Sequence, residues 1–291
     1  MRQRAIKDLA QLDEKSFLEQ ISLGLEKIYE NVIKLSNSSN ALENELAHYR
    51  GHQVLEAIAV EESAKYLILL DATRCPWNDN TKLSEQLSKF NEHLAKGIYA
   101  VASDWKPAKF AQLVTLVETQ LDEYYLDGPI GVEWIFRNQI IAEREERFYV
   151  DYINRDEQHE WATPRNSSIA DDLGLSKLGL NAYREPSVIK MVKTIHATKI
   201  TSLEALKLFA NIWRHFEFNN GTRYQEFQAI NQTCWRDVLN ITQQDLTKKQ
   251  ITILEDKYQL PMYSINMKQK KVKQNDLKER QSNFSPDNYN C

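Results

Sequence analysis

The sequence predicts an all-α protein, and three observations carry the prediction. The 8 Gly and 7 Pro are only 15 of 291 residues, about half their usual share. That is too few turn residues for a β-sandwich or barrel. Apolar residues recur at three- and four-residue steps along most of the chain, which is the helical period. No G-x-x-x-x-G-K and no G-x-G-x-x-G run is present, so neither a P-loop nor a dinucleotide-binding α/β fold has its phosphate loop. The length allows one large or two small domains.

The elements follow in order. Ser16 to Leu35 reads as an amphipathic helix, with Phe17, Ile21, Leu25, Ile28, Val32 and Leu35 on one stripe. Ser16 and Glu19 fit a capping box at its start. Asn37-Ser38-Ser39-Asn40 reads as a break, with Asn40 capping a second helix from about Ala41 to Ala72. Pro76 lies past its end, where a helix cannot continue. A third helix is predicted from Thr81 to Asp104, and a fourth from Pro107 to Tyr125. Gly128-Pro129 breaks the chain, and Ile130 to Arg147 has helical spacing again. Phe148 to Ile153 alternates and is rich in β-formers, with a return from His159 to Pro164, so a short β-hairpin is expected near 148–163. Ser168 with Asp171 caps a helix to about Leu178. Further helices are read over Pro186–Ala197, Ser202–Phe218, Tyr224–Leu239 and Gln243–Tyr258, with a turn at Asn219-Asn220-Gly221.

Charge and cysteine usage narrow the setting. The net charge is −4, which neither demands nor excludes a nucleic-acid partner. Residues 265–291 carry six basic against three acidic side chains, so a +3 tail follows a body of −7. A basic, apolar-poor tail reads as disordered and solvated. The longest aliphatic run is Leu67-Ile68-Leu69-Leu70, far short of a membrane span. Met1-Arg2-Gln3-Arg4 opens no apolar signal segment. The three cysteines are scattered and odd in number, which fits a reducing cytoplasm. Of the six histidines only His48 and His52 stand at H-x-x-x-H spacing, and no H-E-x-x-H or H-x-x-E-H motif is present, so no metal and no cofactor are expected.

The informative segment is Tyr49 to Leu70. Arg50, Glu61 and Lys65 share one face of an otherwise apolar helix, with Glu62 about 100° round the axis. Glu61 and Lys65 stand as an i,i+4 pair of favourable polarity. On a surface such a pair is worth a few tenths of a kcal/mol. Among alanines and aliphatics it needs further partners, and it serves either as a structural network or as a functional polar site. His93 and Lys96, one turn apart on the third helix, are candidate neighbours that could hold a phosphate and move a proton. Trp134, Ile135 and Phe136 fit either an interface or core, and Trp213, Phe216 and Phe218 a helix face packed inward.

Ala59-Val60-Glu61-Glu62-Ser63-Ala64-Lys65 resembles the A-[LV]-E-E-x-x-K helix of the AbiV-type abortive infection proteins, which are placed among the HEPN-like helical domains. Three further pieces follow the order of that family. Leu25 to Leu35, with Asn31, is similar to its leading helix, Val32 replacing a small residue. Phe90-x-x-His93-x-x-Lys96 is similar to its F-x-x-H-x-x-K element. Glu143 to Tyr152, with Trp161 and Pro164, is similar to its Y-V-D segment. The resemblance covers about residues 20–165. It implies a HEPN-like antiparallel bundle over 1–165, leaving a helical C-terminal region over 166–264 and the basic tail over 265–291. It also implies a homodimer with a shared cleft. Many HEPN ribonucleases carry an R-x(4–6)-H pair, and this chain has none; the nearest, Arg155 and His159, have three residues between them.

Two functional readings stand side by side. In one, the chain is a cytoplasmic antiphage effector that acts on RNA or the translation apparatus, with a phage protein as trigger. As a metal-independent ribonuclease it would use His93, Glu61 and Lys65 in catalysis. Arg50, Glu62, Lys96, Arg147 and Tyr149 would bind substrate. In the other, the polar residues are scaffold and the protein works without catalysis, by sequestering a phage or host protein.

Overall fold

The computed structural model describes residues 5–43, 48–77, 79–123, 125–127, 133–135, 138–155, 158–164, 185–258, 260–271, 273 and 275–276. A 3₁₀ turn over Ile6–Gln11 precedes helix α1, Glu14–Glu43, and then α2, Tyr49–Arg74. Ser39 meets His52 near one end of this pair, and Gly24 approaches Leu69 near the other, so α1 and α2 run antiparallel. α2 is the central helix. It touches α1, α3 (Asn80–Ser88), α4 (His93–Ala102), α6 (Gln139–Phe148), α7 (Ser187–Ala197) and α8 (Leu203–Arg214). That encirclement explains Leu67-Ile68-Leu69-Leu70: with neighbours on every side, all four are buried, and no polar face is needed there.

α5 spans Phe110–Gln120, and α9 (Tyr224–Thr242) and α10 (Lys248–Lys257) complete the helices of the described chain. Among the described residues the strands form two separate antiparallel pairs. In the first, β1 (Tyr125–Asp127) pairs with β2 (Glu133–Ile135). In the second, β3 (Asp151–Arg155) pairs with β4 (Gln158–Ala162), Tyr152 standing opposite Trp161. The architecture is therefore the expected all-α, HEPN-like bundle, with the hairpin inside 148–163 and helices continuing towards the C-terminus.

Several boundaries differ from the sequence expectation. α1 does not break at 37–40 but continues to Glu43. Ser36 and Ser39 are buried, and Ser39 Oγ donates to the His52 carbonyl at 3.0 Å, so packing on α2 overrides the weak helix preference of the Asn-Ser run. The start of α1 is capped by Asp13, which accepts from Ser16 N at 3.0 Å, and not by Ser16 itself. The span expected as one helix from Thr81 to Asp104 is two, joined by a 3₁₀ turn over Lys89–Asn91 and an extended Glu92. The helix expected from Ile130 begins only at Gln139, because 133–135 pair as a strand and Asn138 caps the helix. Asn138 Oδ1 accepts from Ile141 N, while its Nδ2 donates to the carbonyls of Gln120 and Asp122, which fixes α6 against the end of α5. The helix expected after Ser168 and the side chains of Trp134, Ile135 and Phe136 lie outside the described residues.

One core runs from Ala10 to Met267 and includes α7, α8 and α9. Trp213 is buried in it, as expected, with Phe216 and Phe218 packed against Phe227. Beneath the apolar layers lies a polar knot that the sequence reading missed. Asp71 and Arg74, one turn apart on α2, are fully buried, with Arg74 Nε 2.8 Å from Asp71 Oδ1. Asp71 Oδ2 accepts from the Tyr99 hydroxyl at 2.6 Å and from Met262 N at 2.9 Å. The Arg74 guanidinium lies over the rings of Trp213 and Tyr258, 4.8 and 4.9 Å from their centroids. Lys89 Nζ donates to the Met262 carbonyl at 2.8 Å, and burial pushes its ammonium down to about 8. This knot ties the segment after α10 to α2 and α4. The packed chain accordingly extends past the boundary drawn at 265: Ile265 and Met267 are buried, and Lys270 N donates to the Leu121 carbonyl.

Candidate functional site

Glu61 stands halfway along α2, where the helix passes α4 and α6. The three helices meet because of a close approach at Gly97 on α4. A Cβ there would lie 2.1 Å from Cγ2 of Ile140 on α6, so only glycine lets the two helices touch. His93 is one turn before Gly97, and Arg144 is one turn after Ile140. α4 and α6 thus bring both side chains to the same carboxylate of α2.

Glu61 binds three groups. Lys96 Nζ is 2.6 Å from Oε2, and Arg144 Nε is 2.6 Å from Oε1. His93 Nδ1 lies 3.0 Å from Oε2 and 3.2 Å from Oε1. Burial alone would raise the Glu61 carboxyl, but the hydrogen bonds from Lys96 and Arg144, with the charges of Lys96 and His93, hold it below its ordinary range. The carboxylate is therefore ionised at neutral pH. His93 Nδ1 also lies 3.2 Å from Lys96 Nζ; in the tautomer that donates from Nδ1 to Glu61, Nε2 is the lone-pair nitrogen. The cluster grades from inside to outside: the Lys96 side chain is 5% exposed, Glu61 21%, Arg144 29% and His93 50%. The imidazole is thus the group most open to a ligand.

The other expected residues take different places. Lys65 pairs with Glu62 rather than with Glu61, and its ammonium sits over the Phe90 ring, 5.2 Å from the centroid. The i,i+4 pair read from the sequence is not formed, because α4 and α6 supply Glu61 with cations and leave Lys65 to Glu62. Arg50 donates to the Phe148 carbonyl at the end of α6, at 3.3 Å. Arg147 and Tyr149 are exposed at that same end. Arg144 is the residue the sequence reading missed. Its signal was position: it lies one turn beyond Ile140, on the face that seats α6 upon α4, and it stacks on Phe148 one further turn along. Among the described residues no three of His, Cys, Asp and Glu converge as a metal-binding group, and no helix is long and apolar enough to cross a membrane.

Gly97→Ala tests this construction. The added methyl must push Ile140 aside, at a cost of about 1–3 kcal/mol for an overpacked contact. We expect a lower urea midpoint and a displaced Arg144, with most of the loss recovered in Gly97→Ala/Ile140→Ala. A Gly97→Ala protein as stable as wild type would show that the α4–α6 approach is not tight.

The HEPN AbiV family model, described as AbiV, matches residues 20–174. The matched stretch contains Glu61, His93, Lys96 and Arg144. No curated protein and no solved structure matches the chain.

Proposed function

The chain belongs to the AbiV family of HEPN domains, and on that basis we propose that it is a cytoplasmic abortive-infection effector whose Glu61 cluster acts on an RNA phosphodiester. The observation that carries the reading is the half-exposed His93, held on the same carboxylate as Arg144 and Lys96. An R-x(4–6)-H pair is absent from the sequence, yet α4 and α6 supply an Arg and a His to one point in space. His93 Nε2 would take the proton of a ribose 2′-hydroxyl as its oxygen attacks phosphorus; the P–O5′ bond breaks, leaving a 2′,3′-cyclic phosphate, and the imidazolium returns the proton to the departing 5′-oxygen. Arg144 engages Glu61 through Nε, so its Nη nitrogens are the ones a phosphate would meet, and they would stabilise the charge that develops there. Glu61 orients both.

A second reading is favoured by one feature: both carboxylate oxygens of Glu61 are already occupied, and Lys96 is buried. A saturated network serves a scaffold, and the protein would then act by sequestering a phage or host protein.

Induced expression distinguishes the two. With wild type we expect growth arrest accompanied by RNA loss, and with His93→Ala neither, the variant remaining folded because this side chain is half exposed. A folded His93→Ala that arrests cells as wild type does would exclude catalysis by this residue and leave sequestration standing.

A further inference from the structure

The Glu61 cluster continues into a run of aromatic side chains. The Arg144 guanidinium lies 4.9 Å from the centroid of the Phe148 ring, and that ring is 6.0 Å from Tyr149. Just beyond, β3 and β4 put Tyr152 directly opposite Trp161, with centroids 5.1 Å apart. His159, two residues before Trp161, shares their face, and its ring lies 5.9 Å from Tyr152 at 24°. These rings are open: Tyr149 is 58% exposed, Tyr152 55% and Trp161 69%.

Exposure of this kind is unfavourable for a hairpin whose only role is to fold. A covered aromatic ring removes roughly 150–250 Å² from water, and a hairpin that packs mainly on itself is marginal in isolation. Here Tyr152, His159 and Trp161 instead form an uncovered apolar face, and the exposed Tyr149, Arg50 at the Phe148 carbonyl and the exposed Arg147 lie at the end of α6 that leads into β3. Open aromatic rings flanked by cations match the needs of a single-stranded nucleic acid, whose bases stack while its phosphates track positive charge. A second copy of this chain fits less well. A two-fold interface uses the same patch on both subunits, and it would bring the Arg50 and Arg147 of each copy into one region.

We infer that the exposed face of Tyr152, His159 and Trp161 is a base-stacking platform for single-stranded RNA, which leads the strand past Tyr149 towards His93. The inference rests on the reading above, in which the Glu61 cluster meets RNA phosphates, and it assigns the binding step to residues outside that cluster.

The test is anisotropy of a short fluorescein-labelled single-stranded RNA titrated with the full chain at several salt concentrations. Trp161→Ala is expected to weaken binding about 5- to 150-fold, the range for loss of one stacking ring. Trp161→Phe should retain most of the affinity, because a ring remains. Arg147→Gln should lower the slope of log affinity against log salt by about 0.7, the value for one single-strand phosphate contact. Lys27→Gln, an exposed cation on α1 away from the platform, should bind as wild type. Trp161→Ala keeps its fold, read by circular dichroism, because the ring is exposed. Binding unchanged in both Trp161→Ala and Tyr152→Ala would overturn the platform. So would a wild type that binds no RNA and a Trp161→Ala that converts a dimer to a monomer in sedimentation; the face would then be a self-association surface. The two readings fail separately. If Trp161→Ala loses RNA while His93→Ala still arrests cells, the platform stands and catalysis at His93 falls. If Trp161→Ala binds normally while His93→Ala abolishes arrest, the platform falls and His93 stands.

Discussion

Replacing Arg74 with alanine is expected to lower the unfolding free energy by about 3–5 kcal/mol, the range for removing one partner of a buried ion pair. Both Arg74 and Asp71 are wholly removed from solvent. Burial opposes the guanidinium's charge, and Asp71, aided by Tyr258 and Tyr99, overcomes that opposition and raises Arg74 above its ordinary value. The truncation takes the guanidinium away from a carboxyl held in a low-dielectric interior, where the Tyr99 hydroxyl and Met262 N remain as its hydrogen-bond donors. It also opens space between Trp213 and Tyr258, which now sandwich the planar group. Arg74→Lys keeps the charge but not the plane or the fork, so it should recover only part of the loss. Arg74→Met combined with Asp71→Asn should cost less than the sum of the two single changes, since the two charges of the pair are removed together. Urea unfolding of the five variants measures this. An Arg74→Ala protein within about 1 kcal/mol of wild type would show that hydrophobic packing alone holds α8, α9 and the segment after α10 on α2, since typical surface substitutions cost no more than that.

Glu61→Gln should have the largest effect on function. The amide keeps the shape of the carboxylate and loses the charge that gathers Lys96, Arg144 and His93. Growth arrest is expected to disappear, because His93 loses the acceptor that fixes its tautomer and Arg144 loses its anchor. The stability cost should be smaller than at Arg74, about 1–3 kcal/mol, because Glu61 keeps some exposure and water can screen part of the loss. Its pH dependence follows from the lowered Glu61 carboxyl. The unfolded chain binds this proton near 4.5, and the folded chain only at lower pH. The carboxylate's contribution is therefore complete above about pH 5 and is lost as pH falls through the folded value. Wild type and Glu61→Gln should accordingly differ most near neutral pH and converge in acid. A constant gap down to the acid limb would mean that the ionised carboxylate is not what stabilises the cluster.

How far the sequence could be read depended on the range of the forces involved. The stripe of Phe17, Ile21, Leu25, Ile28 and Val32 is buried as its spacing implied, because the helical period is a property of neighbouring residues. The β3–β4 hairpin was legible for the same reason, in the alternation of Phe148 to Ile153. The errors fall where a distant element decides a local choice. Asn37 to Asn40 looks like a break, and becomes helix because α2 lies alongside and His52 receives Ser39. Asp71 and Arg74 lie just past the most apolar run of the chain. Nothing in that run reveals that Tyr99, Trp213 and Met262 close over them.

The site divides in the same way. The Ala59-to-Lys65 segment marked Glu61 as a charge on an apolar helix, and the F-x-x-H-x-x-K element marked His93 and Lys96. The sequence by itself determined these residue types, the helices that carry them and the family to which the chain belongs. Only the tertiary structure decided which charges pair. Lys65 goes to Glu62 one turn away, whereas Glu61 takes Lys96 and Arg144 from helices 35 and 83 residues downstream. The reason is physical: backbone hydrogen bonding and side-chain periodicity act over a turn or two, while an ion pair is chosen by whatever opposite charge the packing brings within about 4 Å. At Glu61 that packing is set by the missing side chain of Gly97.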